Sequence, residues 1–385
     1  MNEVVADPGP SDPLRTAVAD RILPLARRAA AACGVTRLAE LTRLDRIGLP
    51  VWHAVRPMSR ALSVHQGKGA SDADAQVGAL LEAVESHHAE NFRHDGPICR
   101  FEDLPRQARP PILADFARDR AEPPPSDAKH QWTEALDLVS GGPIYLPFDV
   151  VSLDFTRNVP SSFNRASDGV AVGASREEAI VVALQEIVER DAVAEWQKRG
   201  LFACTADALR LETVPLGWLH DWVERIESAG ADPTFYHVPS ITGTPVFVCE
   251  LNDFDKDGAP YRATHGSGCH PSPELALFKA LAEAVQGRAT IISGARDDLP
   301  SNYREAPDGA VVAFGLPLAP SMNGRSWSEI EPGPVGCDAL VATLAGAGYP
   351  QVAICALGAP EGLHVVKSFV CGLGANERGR RPPLS

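Results

Sequence analysis

The sequence predicts an α+β fold with antiparallel strands, and two patterns carry the prediction. Short runs rich in Val, Ile, Phe and Tyr, such as residues 245–251 and 364–370, are set apart by glycines and prolines, as strands joined by turns would be. Between them stand longer stretches whose apolar residues recur every three or four positions. In 179–200, Ile180, Ala183, Leu184, Ile187 and Val188 form one stripe of a helix. At 44% hydrophobic and 22% charged, the 385-residue chain has a globular composition and the length to bury a substantial core.

Residues 1–12 read as an acidic, Pro-rich leader. Helical spacing over 13–44, broken near Gly34, predicts a long helix and then a shorter one; strands follow over 47–52 and 61–65. Ser71 or Asp72 caps a helix over 73–91, and prolines make 96–127 a surface loop. Strands at 132–138 and 143–147 flank a Gly141-Gly142 turn, and Ser175 caps the central helix. A helix over 216–230 precedes strands at 234–238, 245–251 and 261–265, with a turn at 253–258. Pro271 and Pro273 suit the start of a helix that buries Leu277, Leu281 and Val285. Strands at 311–314, 351–357 and 364–370 and a helix at 337–346 complete the chain. Expected domain limits are a helical extension over 1–35, one domain over 36–374 and a flexible tail over 375–385.

A net charge of −14 argues against a nucleic-acid or anionic-membrane surface, both of which need clustered Lys and Arg. Eight cysteines without a CxxC give neither a zinc spacing nor a disulfide framework and suit a reducing compartment. With no signal-peptide pattern and no apolar run of membrane-spanning length, the expectation is a cytoplasmic protein.

Chemistry concentrates on three of the helices. Glu82 and Glu85, Glu186 and Glu189, and Glu283 and Gln286 each stand three residues apart, so each pair lies one above the other on its helix. One such pair is an ordinary solvated stripe; three, each after a glycine-rich lead-in, predict a shared site. Gly69-Ala70-Ser71 precedes Glu82 by the interval at which Gly173-Ala174-Ser175 precedes Glu186. Carboxylates and an amide oxygen form a hard-oxygen set suited to Mg2+, and Mg2+ held by few protein ligands implies phosphates as the others. Glutamates gathered in one pocket repel one another unless cations neutralise them. Arg190, Arg288 and Lys68, the last in a Gln66-Gly67-Lys68-Gly69 loop, are the cations placed to meet phosphate oxygens. His87 and His88 read as a solvated helix end. There is no GxGxxG loop or nucleophile elbow, and no spacing points to a Cys–His hydrolase.

TRLAELTRLDRIGLPVWHAVRP with SVHQGKG, then ALLEAVE, then GVAVGASREEAIVVALQEIVERDA, then HGSGCHPSPELALFKALAEAVQGRATIISGARDD, resembles the YcaO superfamily from about residue 36 to 298. The resemblance implies a YcaO-like ATP-binding catalytic domain with ATP and Mg2+ as cofactors. Glu82, Glu85, Glu186 and Glu189 would be magnesium ligands, and Arg190, Glu283, Gln286 and Arg288 would line the nucleotide pocket. It also implies an activity: ATP phosphorylates the oxygen of a peptide backbone amide after a nucleophile adds to the carbonyl. The product is an azoline, a thioamide or an amidine according to the nucleophile.

The sequence departs from the family pattern at two places. Many members carry SxxxExxER in the first motif, where this chain has Gly78, Glu82, Glu85 and Ser86. Azoline-forming members often end in Pro-x-Pro-x-Pro, where this chain ends Pro382-Pro383-Leu384-Ser385. The first departure leaves the serine and arginine contacts absent or supplied elsewhere; the second favours a thioamide-forming enzyme paired with a TfuA-like partner over a cyclodehydratase. A peptide or protein substrate presented by a separate, leader-peptide-binding or TfuA-like protein is expected, and the oligomeric state, a homodimer among its options, stays open. The alternative is a non-catalytic ATP-binding accessory factor, for example in methylthiolation of a ribosomal protein.

Overall fold

The periodic stretches fold as helices and the β-rich runs as antiparallel strands, in a computed structural model that describes residues 9–10, 12, 15, 17–119, 122–157, 162–199, 204–254, 260–296, 324–374 and 380–381. The helices are α1 (Ala19–Ala32), α2 (Asp72–Glu90), the single turn α3 (Phe148–Val151), α4 (Arg176–Gln197), α5 (Gly217–Ser228), α6 (Pro273–Ser293) and α7 (Cys337–Gly346). The strands are β1 (Arg37–Glu40), β2 (Val51–Val55), β3 (Val64–Lys68), β4 (Ile98–Cys99), β5 (His130–Asp137) and β6 (Pro143–Pro147). They continue with β7 (Val170–Gly173), β8 (Ala231–Val238), β9 (Val246–Phe254), β10 (Pro260–Cys269), β11 (Val352–Gly358) and β12 (His364–Val370). The strand expected at 311–314 and most of the 253–258 turn lie outside the described residues. Among the described residues no helix is long and apolar enough to cross a membrane.

Every strand pair is antiparallel, as expected. Two three-stranded sheets run β1-β2-β3 and β10-β9-β8, and a six-stranded sheet runs β4-β5-β11-β12-β7 with β6 beside β5. Strands β3, β10 and β7 are therefore edges. Each leads directly into an acid-bearing helix, α2, α6 and α4 respectively, which packs back onto its own strand. Exposed edges invite unwanted pairing; here N–H groups of the three, at Gln66, Val172 and Ser267, donate to glutamate carboxylates of the helices.

The close packing explains the glycines of the lead-ins. A Cβ on Gly67 would sit 1.9 Å from Ala75 O and 2.2 Å from Ala79 N, and one on Gly268 would sit 2.3 Å from Ala276 O. Only glycine lets strand and helix backbones approach this closely. Two sequence expectations are corrected accordingly. Gln66 to Lys68 are the end of β3 and not a loop, and the stretch from Gly266 to Cys269 continues β10 past His265. The short helix expected after Gly34 is instead β1, because Arg37–Glu40 pairs along β2.

The core has three parts. One joins α1 and α2 to the six-stranded sheet through Ala26, Ala30, Leu80, Val84 and Trp132. Another joins α5 and α6 to β8 and β9 through Trp218, Phe235, Phe247 and Leu281. The third sets α4 and α7 against Val246, Val352 and Val366. Of the tail, Arg380 and Arg381 are held: Arg380 pairs with the fully buried Asp191 on α4, and Arg381 pairs with Asp115 at 3.0 Å.

Candidate nucleotide site

A cavity of about 1570 Å3 opens between α2, α4 and α6. Its three walls follow one plan. Ser71, Ser175 and Ser272 each immediately precede a helix and accept from the third residue of it, at 3.2 Å from Asp74 N, 3.1 Å from Glu178 N and 3.5 Å from Leu275 N. Such side-chain caps satisfy otherwise orphaned donors and fix where the helix starts. Glu82, Glu186 and Glu283 each follow their serine by eleven residues, and Glu85, Glu189 and Gln286 by fourteen. A fixed start and a fixed offset put all six on the faces that line the cavity.

The edge strands then orient the acids. Gln66 N donates to Glu82 Oε2 at 3.0 Å, Gly169 N to Glu186 Oε2 at 3.0 Å, and Val172 N to Glu85 Oε1 at 2.9 Å. Ser267 N donates to Glu283 Oε1 at 3.5 Å, and its hydroxyl to Glu189 Oε1 at 2.6 Å. One oxygen of each carboxylate is thus engaged by β3, β7, β10 or the turn before β7. Among the described residues the second oxygens of Glu85 and Glu189 receive no hydrogen bond, that of Glu82 stands 3.9 Å from His65 Nδ1, and that of Glu186 stands 3.8 Å from Arg190 Nη2.

Burial in the cavity raises the pKa of all four of these carboxyls. Glu186 is pushed to about 7, with Asp168 and Glu189 adding to burial and Arg190 opposing them. Glu85 lies well above the usual range, since Glu82 and Glu186 add repulsion to burial. Glu82 and Glu189 are raised mainly by burial as well, although 43% of the Glu82 side chain faces the open cavity. Glu283 differs. Burial would raise it, but Lys68 and Arg190 outweigh that and hold it low, with Lys68 Nζ at 2.7 Å from Oε2.

Arg190 stands among these acids without a close partner, 3.8 Å from Glu186 and 3.9 Å from Asp168, with Nε buried and without a hydrogen bond. Gln286 Nε2 donates to Gln66 Oε1 at 3.1 Å. Gln66 Nε2 in turn reaches Thr290 Oγ1 and, at 2.9 Å, His53 Nε2. His53 is pushed down to about 4 by burial and by Arg296, so it is neutral at pH 7. This end of the cavity is a chain of uncharged hydrogen-bonding groups, beside which Arg296 Nη1 meets the same Gln66 oxygen at 3.4 Å.

The structure brings together Lys68, Glu82, Glu85, Glu186, Glu189, Arg190, Glu283 and Gln286, and leaves Arg288 out. Arg288 Nε lies 2.9 Å from Asp45 Oδ2, and its guanidinium also contacts Asp253, all three side chains being buried. Five residues beyond Glu283, Arg288 is turned roughly 140° away from it around the helix. His87 is no free helix end either: its ring lies 3.5 Å from Arg56 Nη1. Arg56 also donates to Ser86 Oγ at 3.2 Å but is committed to a buried pair with Glu90 at 2.6 Å. Sequence reasoning missed His53, Arg15 and Lys279. Lys279 had a local signal, one turn before Glu283 on the same stripe; Arg15, which reaches Glu178 at 3.2 Å across 163 residues, had none.

Among the described residues no three His, Cys, Asp or Glu side chains gather closely enough to cage a metal by themselves. Mg2+ keeps waters and takes phosphate oxygens alongside one or two carboxylates. Four acids raised first by burial, each with one oxygen that accepts no hydrogen bond among the described residues, fit that requirement.

Comparisons with known proteins agree. The family model described as YcaO cyclodehydratase, ATP- and Mg2+-binding, matches residues 66–374. An uncharacterized protein in the tfuA 3' region of Rhizobium leguminosarum bv. trifolii is 33% identical over 284 residues, 72% of this chain and 68% of that one. An uncharacterized Mycobacterium tuberculosis protein is 35% identical over 278 residues, 70% of this chain but 60% of its own length. YcaO from Methanopyrus kandleri, solved with AMPPCP and Mg2+, superposes with a TM-score of 0.68 at 22% identity over 97% of this chain and 95% of its own. A heterocyclase solved with substrate and cofactor gives 0.78 at 20% identity, over 98% of this chain and 57% of its own. The extent of the family match makes the chain a member of the YcaO family, with the α+β fold of those structures and with ATP and Mg2+ as its cofactors.

Proposed function

We propose that this protein uses MgATP to activate a peptide backbone amide, giving a thioamide or an azoline in a ribosomally made peptide. The observation that carries the reading is the convergence of three capped helices on one cavity, five acids and one amide at matched positions. Glu82, Glu85, Glu186 and Glu189 would hold Mg2+ through the oxygens their backbone contacts leave unengaged. ATP, when bound, supplies the phosphoryl group that turns the amide oxygen into a leaving group. Arg190 would meet phosphate oxygens and spread the negative charge that develops as that oxygen departs. Lys68 would fix Glu283, and the chain Gln286–Gln66–His53 would take the uncharged end of the nucleotide. No protein nucleophile is required, because the attacking group belongs to the peptide or to a sulfur donor.

The relative in the tfuA 3' region supports the thioamide branch and a TfuA-like partner that delivers the substrate. MgATP titration by calorimetry tests the site: the wild-type chain should bind, and Glu186→Gln and Glu189→Gln should lose at least roughly tenfold in affinity. Mass analysis of a peptide co-expressed with the partner separates the products, sulfur for oxygen in a thioamide and loss of water in an azoline. Binding without partner-dependent ADP formation would favour the accessory-factor alternative.

A further inference from the structure

Lys279 is a cation of the cavity for which the reading above has no use. It lines the wall on α6 one turn before Glu283, on the stripe that continues to Gln286 and Thr290. Its one hydrogen bond among the described residues is from Nζ to Cys269 O at 3.2 Å. An ammonium carries three donors, so two are left for whatever enters the cavity. Burial and the nearby Arg15 both disfavour its charge, with Glu189 in part offsetting them. Neither matching helix has a cation at this position: α2 has Gly78 and α4 has Val182.

The stripe on α6 also has a direction. Thr290, Gln286, Gln66 and His53 make one end, a hydrogen-bonding chain beside which Arg296 Nη1 stands 3.4 Å from Gln66; Glu283 with Lys68 makes the middle, and Lys279 the far end, on the order of 16 Å from Thr290 along the helix axis. A nucleoside triphosphate has that same polarity, with a neutral hydrogen-bonding base at one end and its highest charge density at the other.

We infer that Lys279 contacts the terminal phosphoryl group of the bound nucleotide, so that it distinguishes a triphosphate from a diphosphate. The inference rests on the nucleotide reading of the cavity. It assigns Lys279 a binding role at the group to be transferred, separate from the roles of Lys68 and Arg190.

The test is calorimetry on the full chain with MgATP, the non-hydrolysable MgAMPPCP and MgADP, using Lys279→Met, Lys279→Gln and Lys279→Arg. A charge-assisted hydrogen bond to phosphate predicts that the Met and Gln variants bind MgATP and MgAMPPCP roughly tenfold or more weakly while binding MgADP as the wild type does. Lys279→Arg should keep most of the preference for triphosphate. Equal losses for MgATP and MgADP, or no loss for either, overturn this inference alone. Where the Met variant does not fold, the Gln variant decides. Absence of any nucleotide binding by the wild-type chain overturns the functional reading, and this inference with it.

Discussion

Replacing Glu186 by glutamine should make the nucleotide-free protein more stable and reduce the stability that MgATP adds. Glu186 sits at about pKa 7 in the fold against an ordinary 4.5, raised first by burial and then by Asp168 and Glu189. Between those values the folded state holds a proton that the unfolded chain has lost, so stability falls as pH rises from 4.5 to 7 and the loss is complete above that window. The shift corresponds to at most about 3 kcal/mol, and because 28% of the side chain meets cavity water the effect should be on the order of 1–2 kcal/mol. Glutamine keeps an oxygen for Gly169 N and removes the charge. Urea unfolding without nucleotide should therefore show Glu186→Gln about equal to wild type near pH 4.5 and more stable by roughly 1–2 kcal/mol at pH 8. MgATP at about a hundred times the wild-type Kd should add about 2.7 kcal/mol to the wild type but only about 1.4 kcal/mol to a variant that binds roughly tenfold more weakly, so the variant's lead shrinks by about 1.3 kcal/mol. A variant less stable than wild type at pH 8 without nucleotide would refute the argument, since the carboxylate would then support the fold in its charged form.

Three further outcomes follow from particular contacts. Gly67→Ala should cost about 3 kcal/mol or more, because its Cβ would meet the backbone at Ala75 and Ala79; an unchanged urea midpoint would contradict the close approach of β3 to α2. Arg288→Ala should destabilise by about 3–5 kcal/mol by stranding the buried Asp45, while Asp253 keeps its pair with Arg262, yet leave MgATP affinity unaltered in the folded protein. A tenfold loss of affinity there would return Arg288 to the nucleotide site. Arg380→Ala should cost a similar amount by stranding Asp191, with part regained in the Asp191→Asn, Arg380→Ala double variant; a cost under about 0.5 kcal/mol would mean the tail is not docked.

What the sequence made legible was local and periodic. The acid pairs could be read because a helix repeats every 3.6 residues, so a spacing of three is itself a statement about a face. Phase also separates Arg288 from Lys279: one lies five positions after Glu283 and points away, the other lies four positions before it and shares its face. Arg288, expected at the phosphates, lies outside the cavity lining because of that angle, which the order of letters in a motif does not display. Contacts such as Asp45 with Arg288, 243 residues apart, leave no local trace at all.

The glycine-rich lead-ins were misread for a related reason. Glycine in a turn and glycine under a helix look alike in sequence, and only the packing of α2 on Gly67 or α6 on Gly268 tells them apart. The threefold plan was half visible. Gly-Ala-Ser repeats before α2 and α4, whereas α6 is approached through Cys269-His270-Pro271-Ser272 and shares only the serine. What all three keep is the interval from the capping serine to the acids, and geometry gives the reason. The serine fixes the start of the helix and the edge strand fixes where the carboxylate must reach; one residue inserted between them would swing the acid by about 100° and off the cavity wall. Letters around the cap are free to drift, but the count between cap and acid is not.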